Sequence, residues 1–470
     1  MSTAAVKAAT PRQLTIGIDE LKRNVKGQVI APYDAAYEGA RQIWNAMIDK
    51  RPALIVRCAS TADVVHCVSF ARDTGLPLAV RGGGHNIAGN ALCDGGIVID
   101  LSQMKAAKVD PVFRRVVIEA GALLADLDAA TQPHGLATPV GINSTTGIAG
   151  LTLGGGFGWL SRKYGMTIDN LESAEVVTAA GEVMRASAIE HPDLFWALRG
   201  GGGNFGIVTR FEFRLHKVGP QVLSGLIVYP LSEAKSVLRQ YRSFAAEAPD
   251  ELAVWAVVRK APPLPFLPQA VHGQEIIALA LCYAGDPGTG EALVAPLHAF
   301  GKPAGAHVGV QPYVAWQQAF DPLLTAGARN YWKSHNFATL DDELFDTVIA
   351  YAGKLPSPQC EIFIGALGGA TSRPAPESAA YAHRDTRFVM NVHGRWDDPA
   401  GDKPGIQWAR DFFDATAPFA SGSVYVNFLT ADEAERVHNA YGPNYARLAK
   451  VKRKYDPGNL FRMNQNIAPE

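Results

Sequence analysis

The sequence predicts an α+β fold in at least two domains, and three features of the 470-residue chain support this prediction. Short apolar strands and a capped helix precede glycine clusters that continue to Gly206. After Gly219-Pro220 these clusters stop, and longer strands alternate with helices. Near the C-terminus, residues 455–467 are rich in amide side chains, which indicates a segment docked against the rest of the chain.

The first unit is predicted to be a β-α-β crossover. A strand is predicted over 53–58, and the sequence from Ser60 to Asp63 is typical of a capped helix start. Gly75 suits the end of that helix, and a second strand is predicted over 76–80. The crossover therefore delivers the chain directly into the glycines that follow.

The stretch 78–89, with the sequence LAVRGGGHNIAG, contains the first candidate site. Three consecutive glycines allow the backbone to turn sharply and to approach a ligand closely. Because successive N–H groups in such a turn can hold an anion, we interpret it as a pyrophosphate-binding loop of a dinucleotide site. His85 would then touch the reactive end of the cofactor. Taken alone, the stretch fits a glycine-rich surface turn with an incidental histidine equally well.

Two more glycine clusters follow, at 141–158 and 199–206. The first alternates glycine with serine and threonine, which suits a backbone wrapped around a polar ligand. The second matches the GxGxxG pattern of Rossmann proteins, but a helix is predicted before it and a strand, 207–215, after it. A Rossmann site requires the opposite order, so we reject that interpretation.

The central region is predicted to form a single antiparallel or mixed sheet with helices on one face. The predicted strands of this region and the following one are 222–228, 252–258, 275–283, 361–367, 388–392 and 423–429. The predicted helices are 232–246, 289–300 and 430–454. The proline-rich run 261–268 is expected to be a surface loop.

The composition argues against several classes of protein. Charged residues make up 19% of the chain and the net charge is −1, which argues against a nucleic-acid or anionic-membrane partner. The five cysteines are scattered without a CxxC pair, so neither a disulfide framework nor a zinc site is predicted, and no metal is expected. Because the sequence shows no secretion signal and no apolar run of about 18 residues, a cytoplasmic protein is expected.

Taken together, the motifs resemble those of berberine-bridge-enzyme-like oxidases, which belong to the vanillyl-alcohol-oxidase (p-cresol methylhydroxylase) superfamily. The resemblance is carried by the RGGGH turn, the run from Gly147 to Gly158, the PDLFWALRGGG and NFGIVT segments, and the C-terminal YDPGNLFRMNQNI sequence. It covers residues 52–215 and 424–467 well, and the middle of the chain more weakly.

The resemblance implies a two-subdomain FAD-binding domain of the p-cresol methylhydroxylase type and a substrate domain with a large antiparallel sheet flanked by helices. We expect residues 1–218 to form the FAD-binding domain and residues 219–415 the substrate domain. Residues 416–470 are expected to return and complete the FAD-binding domain.

The resemblance also implies FAD held by a single covalent link, through His85. Many members of the family add a second link from a cysteine, but Asn143 stands at that position here and no cysteine is close. Thr146 occupies a position that influences oxygen access in related enzymes. The expected cofactor contacts are His85, Arg81, Gly82, Gly83, Gly84, Asn86, Gly89, Gly141, Thr145, Thr146, Gly147, Gly150, Gly154, Gly155, Gly158, Gly206, Ile207, Val208, Asn427 and Asn464.

Three residues, Tyr425, Lys333 and Glu361, are the predicted catalytic groups. A flavin oxidase passes a hydride from a C–H bond to its cofactor, and an alcohol substrate also needs a base for its hydroxyl proton. Tyr425, from a Tyr-x-Asn pattern of the family, is the predicted base, with Lys333 or Arg329 as the cation that lowers its pKa. Glu361 or His393 would serve instead for an amine or a phenol-bearing alkaloid.

We therefore expect an FAD-dependent oxidase that takes a hydride from a C–H bond next to an OH or amine of a small organic substrate. Molecular oxygen would reoxidise the flavin and yield H2O2. A dehydrogenase with another electron acceptor and a non-catalytic flavoprotein are the alternatives; Thr146 keeps the first open, whereas His85, Tyr425 and Asn427 argue against the second. Sugars, alcohols and amines stay open as substrates, and a monomer or homodimer is expected.

Overall fold

The computed structural model describes residues 11–470. Within these residues the strands form four sheets, and helices pack against them. The largest sheet is antiparallel throughout, so the predicted α+β class is confirmed. No helix in this range combines the length and the apolar character that a membrane crossing requires.

The strands are β1 (Gln28–Ile30), β2 (Leu54–Arg57), β3 (Leu78–Arg81), β4 (Ile97–Asp100), β5 (Ala107–Asp110), β6 (Arg115–Glu119), β7 (Leu136–Ala137), β8 (Leu171–Val177), β9 (Val183–Ser187), β10 (Ile207–Arg214), β11 (His216–Lys217), β12 (Gln221–Pro230), β13 (Leu252–Lys260), β14 (Glu275–Tyr283), β15 (Gly305–Pro312), β16 (Arg329–Phe337), β17 (Glu361–Ala366) and β18 (Phe388–Trp396).

The α-helices are α1 (Pro11–Asn24), α2 (Tyr37–Ala40), α3 (Thr61–Thr74), α4 (Leu124–Thr131), α5 (Ile148–Leu153), α6 (Ser161–Tyr164), α7 (Pro192–Leu198), α8 (Ala234–Glu247), α9 (Pro287–Val294), α10 (Tyr313–Gln318), α11 (Asp342–Ala352), α12 (Asp402–Thr416), α13 (Val437–Tyr441) and α14 (Tyr445–Tyr455).

The first sheet contains the predicted β-α-β crossover. Its strand order is β1-β2-β4-β3, and β2 and β3 both pair in parallel with β4. Helix α3 joins β2 to β3; the Ser60 hydroxyl accepts the Asp63 N–H at its start, and Gly75 ends it with a φ of 71°. The chain then leaves β3 at Arg81 and enters the three-glycine turn.

The second sheet is antiparallel, with the strand order β5-β6-β10-β8-β9. Strand β10, predicted over 207–215, inserts between β6 and β8. The third glycine cluster leads directly into β10. Because β10 pairs with β6 and β8, this cluster lies beside earlier segments of the chain. A two-stranded sheet of β7 and β11 completes this part of the fold.

The seven-stranded sheet has the order β15-β12-β14-β13-β17-β18-β16. One of its faces is covered by α8, α11 and α12, whose apolar side chains share a core with alternate residues of the strands. On β13, for example, Val254 and Ala256 face these helices, whereas Trp255 belongs to a different core on the opposite face. That opposite face is turned toward the glycine clusters.

Two predictions for the C-terminal region are wrong. Residues 423–429 do not form a strand; a 3-10 turn, Val426–Phe428, stands there instead. The helix predicted over 430–454 is divided into α13 and α14, because Gly442 has a φ of 53° and Pro443 follows it. The Glu433 carboxylate accepts hydrogen bonds from the Thr430 N–H and from the Thr430 hydroxyl group. These hydrogen bonds close a turn and do not start the predicted helix.

The amide-rich C-terminal segment is docked, as predicted. Lys452 is fully buried, and its ammonium donates to the carbonyl oxygens of Asn204 and Phe461 and to the Asp456 carboxylate. The Ile467 N–H donates to the Asn204 side chain at 3.0 Å. These contacts join the end of the chain to the third glycine cluster, while the domain boundaries at 218 and 415 stay predictions.

A buried carboxyl group between α4 and α10 leads to a stability prediction. Burial raises the pKa of Asp128 to about 7, although Gln317 donates to its Oδ2 at 3.3 Å. The folded protein therefore loses stability as the pH rises from about 4 through 7, since the unfolded carboxyl is ionised over that range. We expect Asp128→Asn to stabilise the protein by about 1–3 kcal/mol at pH 8 and to change little at pH 4.

Chemical denaturation at the two pH values measures this effect. The new amide can donate to Gln317 Oε1, which is buried without a partner among the described residues. Equal effects of Asp128→Asn at pH 4 and pH 8 would contradict the prediction.

Candidate active site

A cavity lies between the glycine clusters and the face of the seven-stranded sheet opposite α8, α11 and α12. The turn after β3 and the clusters around Gly147 and Gly203 form one side of it. Strands β12, β13, β14, β16, β17 and β18 contribute side chains to the other side. Residues 425–428 and 463–465 border it as well, so motifs that are distant in sequence face one space.

The first two glycine clusters touch each other backbone to backbone. A Cβ atom on Gly83 would lie 2.3 Å from the backbone nitrogen of Gly147, so this contact requires glycine. Gly84 has a φ of 70°, in the left-handed region that favours glycine. A Cβ atom on Gly150 or Gly203 would meet nothing within 4 Å, although both residues border the cavity. At these two points bare backbone faces open space, which allows a ligand to come close.

His85 follows the glycine turn and borders the cavity. Its Nε2 lies 2.9 Å from Thr145 Oγ1, and its ring stacks on Trp44 with a centroid separation of 5.0 Å. Burial, assisted by the charge of Arg395, lowers the pKa of His85 to about 4. The imidazole is therefore neutral at pH 7 and keeps a nitrogen lone pair.

Tyr425 borders the cavity, but its surroundings differ from the prediction. Its hydroxyl accepts hydrogen bonds from the Gly156 N–H and the Asn427 amide, each at 3.0 Å. Burial outweighs these two donors and raises the pKa of Tyr425 to about 12. Among residues 17–470, whose side chains the structure describes, no charged group bonds to this hydroxyl. The predicted cation is therefore missing, and the phenol keeps its proton at neutral pH.

The structure does not bring Lys333 to the cavity, which corrects its predicted catalytic role. Trp332 borders the cavity, and side chains alternate along β16, so Lys333 faces the helix-covered side. There its Nζ lies 3.2 Å from Asp432 and 3.4 Å from Glu433. Arg329, the other predicted cation, pairs with Asp402.

A structural role for Lys333 predicts the effect of replacing it. We expect Lys333→Met to destabilise the fold by about 2–4 kcal/mol, because the buried Glu433 loses a partner. The rate at which the expected flavin is reduced, per folded molecule, should stay unchanged. Urea denaturation and a rapid-mixing assay measure the two effects, with Lys235→Met, which removes an exposed pair with Asp346 worth less than about 1 kcal/mol, as the control. Slow reduction in a stably folded Lys333→Met protein would restore the catalytic role.

Arg259, Glu361 and His393 form a row across three adjacent strands, here named the polar row. The strand register sets Arg259 opposite Glu361 and Glu361 opposite His393. Arg259 Nη1 donates to Glu361 Oε2 at 2.7 Å, and His393 Nδ1 lies 2.9 Å from Oε1. Burial alone would raise the pKa of Glu361, but its basic neighbours lower it to about 2. Among the described residues, Glu361 is the sole carboxylate that borders the cavity.

A series of aromatic rings connects the polar row to His85. Trp332, opposite His393 in the register, stacks on that imidazole at 4.5 Å. Trp332 also meets Trp44 edge to face at 5.7 Å, and Trp44 stacks on His85. The neutral His85 and the charged polar row therefore lie at two ends of one aromatic wall.

The rest of the sheet side of the cavity is apolar. Two of its residues, Pro262 and Leu264, belong to the proline-rich loop. This loop was predicted to be a surface loop, but it also borders the cavity. The apolar lining includes Leu226, Val228, Trp255, Val257, Pro262, Leu264, Ile276, Ala278, Ala280, Trp316, Ala319, Phe320, Pro322, Leu323, Leu324, Phe363 and Phe428. Charge on this side is confined to the polar row.

The cavity brings together most of the predicted cofactor residues. Those that border it are His85, Gly82, Gly83, Gly84, Asn86, Gly141, Thr146, Gly147, Gly150, Gly206, Ile207, Val208, Asn427 and Asn464. Those that do not are Arg81, Gly89, Thr145, Gly154, Gly155 and Gly158.

The residues outside the cavity wall support it from behind. Arg81 pairs with the buried Asp100, and Thr145 contacts His85. Gly154 and Gly158 allow close contacts, since their Cβ atoms would collide with Asn427 and with the backbone.

Trp44, Arg259 and Trp332 are among the residues that border the cavity without a role in the sequence prediction. Arg259 could have been recognised as a candidate site residue from the sequence, because it is a charged residue at the end of an otherwise apolar strand. Trp44 lies in an irregular segment before the first predicted unit, and no local pattern marks it.

Two family models match the chain. The model described as "FAD binding domain" matches residues 52–187, and the model described as "Berberine and berberine like" matches residues 424–468. The first match contains the glycine turn with His85, and the second contains Tyr425, Asn427 and the docked C-terminal segment.

Curated relatives are similar over nearly their whole length. An FAD-linked oxidoreductase of Dictyostelium discoideum is 32% identical, with 96% of this chain and 97% of the relative covered. The (R)-6-hydroxynicotine oxidase of Paenarthrobacter nicotinovorans is also 32% identical, with coverage of 95% and 98%. The crystal structure of 6-hydroxy-D-nicotine oxidase from Arthrobacter nicotinovorans superposes with a TM-score of 0.85 at 31% identity, with coverage of 95% and 98%.

Proposed function

Because the chain belongs to the berberine-bridge-enzyme-like FAD-linked oxidoreductases, we propose that it is an oxidase with FAD covalently bound to His85. Its substrate would lose a hydride from a C–H bond next to an OH or amine, and molecular oxygen would reoxidise the flavin to yield H2O2. The observation that carries the proposal is a cavity that a neutral histidine borders at the glycine turn and the polar row borders at the sheet.

The residues that border the cavity fit FAD. Gly150 and Gly203 present bare backbone to open space, as a closely bound cofactor requires. Asn464 Oδ1 is buried without a partner among the described residues and lies at the same wall, where a ligand N–H or hydroxyl could satisfy it. When bound, the flavin supplies the hydride acceptor.

Glu361 and Tyr425 have complementary roles in this proposal. Glu361 stays ionised, so it can accept the proton or hydrogen bond of a substrate OH or N–H. Tyr425 keeps its proton, so it positions substrate or cofactor as a hydrogen-bond donor and does not act as the base. Arg259 and His393 hold the carboxylate in place from both sides.

The lining favours a hydrophobic, ring-bearing substrate over a sugar. A sugar presents several hydroxyl groups, and each needs a polar partner when water is removed. On the sheet side the charged groups of the described residues are those of the polar row, whereas Trp255, Phe363 and Phe428 offer aromatic surface. A flat substrate with one polar group matches this distribution.

Oxygen is the proposed electron acceptor, and relatives named as oxidases support it. A dehydrogenase that uses another acceptor is the second candidate, because Thr146 borders the cavity at the position linked to oxygen access. The rate at which oxygen reoxidises the reduced flavin distinguishes the two candidates.

Two rapid-mixing experiments test the proposal. The protein is first mixed anaerobically with aromatic alcohols, aromatic amines and oligosaccharides, and bleaching of the flavin absorbance is followed. The reduced protein is then mixed with oxygen, and peroxide is measured. We expect bleaching by an aromatic compound and fast reoxidation with one peroxide per flavin. Slow reoxidation would favour the dehydrogenase, and bleaching by oligosaccharides alone would refute the substrate assignment.

A further inference from the structure

The cavity continues beyond the polar row as an aliphatic space, on the side away from His85. Arg259 lies on β13, and the strand order places β14 and β12 on one side of it and β17, β18 and β16 on the other. The aromatic wall connects His85 to the β16 side. On the β14 side the register sets Ile276 opposite Arg259, and Ile276 also borders the cavity. The lining therefore changes from charged to aliphatic over one strand spacing, about 5 Å.

A row of three aliphatic side chains adjoins this point. Val228, Ala278 and Val257 lie opposite one another on β12, β14 and β13, and all three border the cavity. Because alanine stands between two valines, the row is recessed at its centre. Val257 and Leu226, which lies further along β12, are only half-buried, so apolar surface is left exposed inside the cavity. From Arg259 to β12 the aliphatic surface extends over two strand spacings, about 10 Å.

The proline-rich loop packs against this end of the cavity and offers it few hydrogen bonds. Pro262 and Leu264 border the space. Proline has no N–H, and the Pro262 carbonyl accepts the Leu264 N–H at 2.8 Å. The Leu264 carbonyl accepts the Leu267 N–H at 3.0 Å. Each backbone polar group of the two bordering residues is thus absent or already paired, so a hydroxyl group placed beside them would lose water and gain no free partner there.

We propose that this aliphatic compartment, formed by Val228, Val257, Leu264, Ile276 and Ala278, binds an alkyl chain carried by the ring of the substrate. Ala278, at the recess, and Leu264, on the loop, are the residues that determine which chain lengths fit. The inference rests on the proposed function, because the chain extends from the ring that the proposed oxidase acts on. The polar row then receives the OH or amine of that ring, and the compartment receives the apolar end.

Binding of unreactive probes to the holoprotein tests the compartment directly. Anisoles with a methyl, butyl or octyl group at the para position carry neither an OH nor an amine, and Trp255 fluorescence can report their binding because Trp255 borders the cavity. We expect Kd to fall about threefold to fourfold for each added methylene group until the compartment is filled. Equal Kd values for the methyl and octyl compounds would overturn the inference.

The matching benzyl alcohols and benzylamines distinguish this inference from the proposed function. Under anaerobic rapid mixing we expect the octyl compounds to bleach the flavin with a higher kcat/KM than the methyl compounds. Tight binding of the octyl anisole without bleaching by any aromatic alcohol or amine would refute the proposed function and leave the compartment intact. Bleaching with the same kcat/KM at every chain length would do the reverse.

Variants that fill the compartment separate specific binding from general hydrophobic affinity. Ala278→Phe fills the recess and Leu264→Trp narrows the space from the loop. Each should lower the preference for octyl over methyl anisole by about tenfold or more, because several methylene groups lose their burial. Phe266→Trp is the matched control, since Phe266 is in the same loop, stacks on His307 and does not border the cavity. Leu264→Trp lies outside the sheet and decides the matter if Ala278→Phe does not fold; an unchanged preference in Leu264→Trp would overturn the assignment.

Discussion

Replacement of His85 by alanine is expected to release all of the flavin when the protein is precipitated with acid. The glycine clusters that surround the cavity are unchanged in this variant, so FAD should still bind without a covalent bond. The loss of the link should lower the flavin reduction potential, and substrate oxidation should slow by roughly tenfold to a hundredfold, about 1.4–2.7 kcal/mol of barrier.

In-gel fluorescence, potentiometric titration and anaerobic rapid mixing measure these three effects. His298→Ala, at an exposed histidine remote from the cavity, is the matched control and should behave as the unaltered protein. If flavin remains on the precipitated His85→Ala protein, a different residue carries the link and the assignment of His85 is refuted.

Replacement of Glu361 by glutamine is expected to reduce the rate of flavin reduction by about 10²–10⁴-fold, the range typical for loss of a positioned base. Glutamine keeps the size of the side chain but cannot take a proton. Arg259 also loses its charged partner, so the variant should be less stable as well as slow. Anaerobic rapid mixing with a substrate identified in the screen measures the rate, and thermal unfolding separates the two effects.

The acidic pKa of Glu361 adds a pH test. The pKa of the Glu361 carboxyl is lowered to about 2. Titration of this group should therefore not change the reduction rate of the unaltered protein between pH 5 and pH 8. Glu291→Gln, on an exposed position of α9, controls for the change of charge. A Glu361→Gln protein that is reduced at the normal rate would refute the role of this carboxylate.

Features that depend on neighbouring residues could be predicted from the sequence. The crossover, the glycine turn and the position of His85 follow from capping residues, apolar runs and glycines that are close in the chain. The break between α13 and α14 could also have been predicted from the sequence, because Gly442-Pro443 strongly favours the end of a helix.

The polar row could not be predicted, because it exists only through the register of three strands that are far apart in sequence. The same limit explains Lys333. A shift of one residue along β16 decides whether Trp332 or Lys333 faces the cavity, and the local pattern does not determine the face. The high pKa of Tyr425 likewise reflects burial by distant segments, including the loop around Gly156.

The docked C-terminal segment has a consequence for how the protein is made in the cell. Asn204 is bonded by Lys452 and by Ile467, so the third glycine cluster is completed by residues that are synthesised 248 and 263 positions later. The first half can form its strands during translation, but the wall at Asn464 can close only after that residue has left the ribosome. A stop codon before Asn464 is therefore expected to leave the cavity open at this wall, although most of the chain is present.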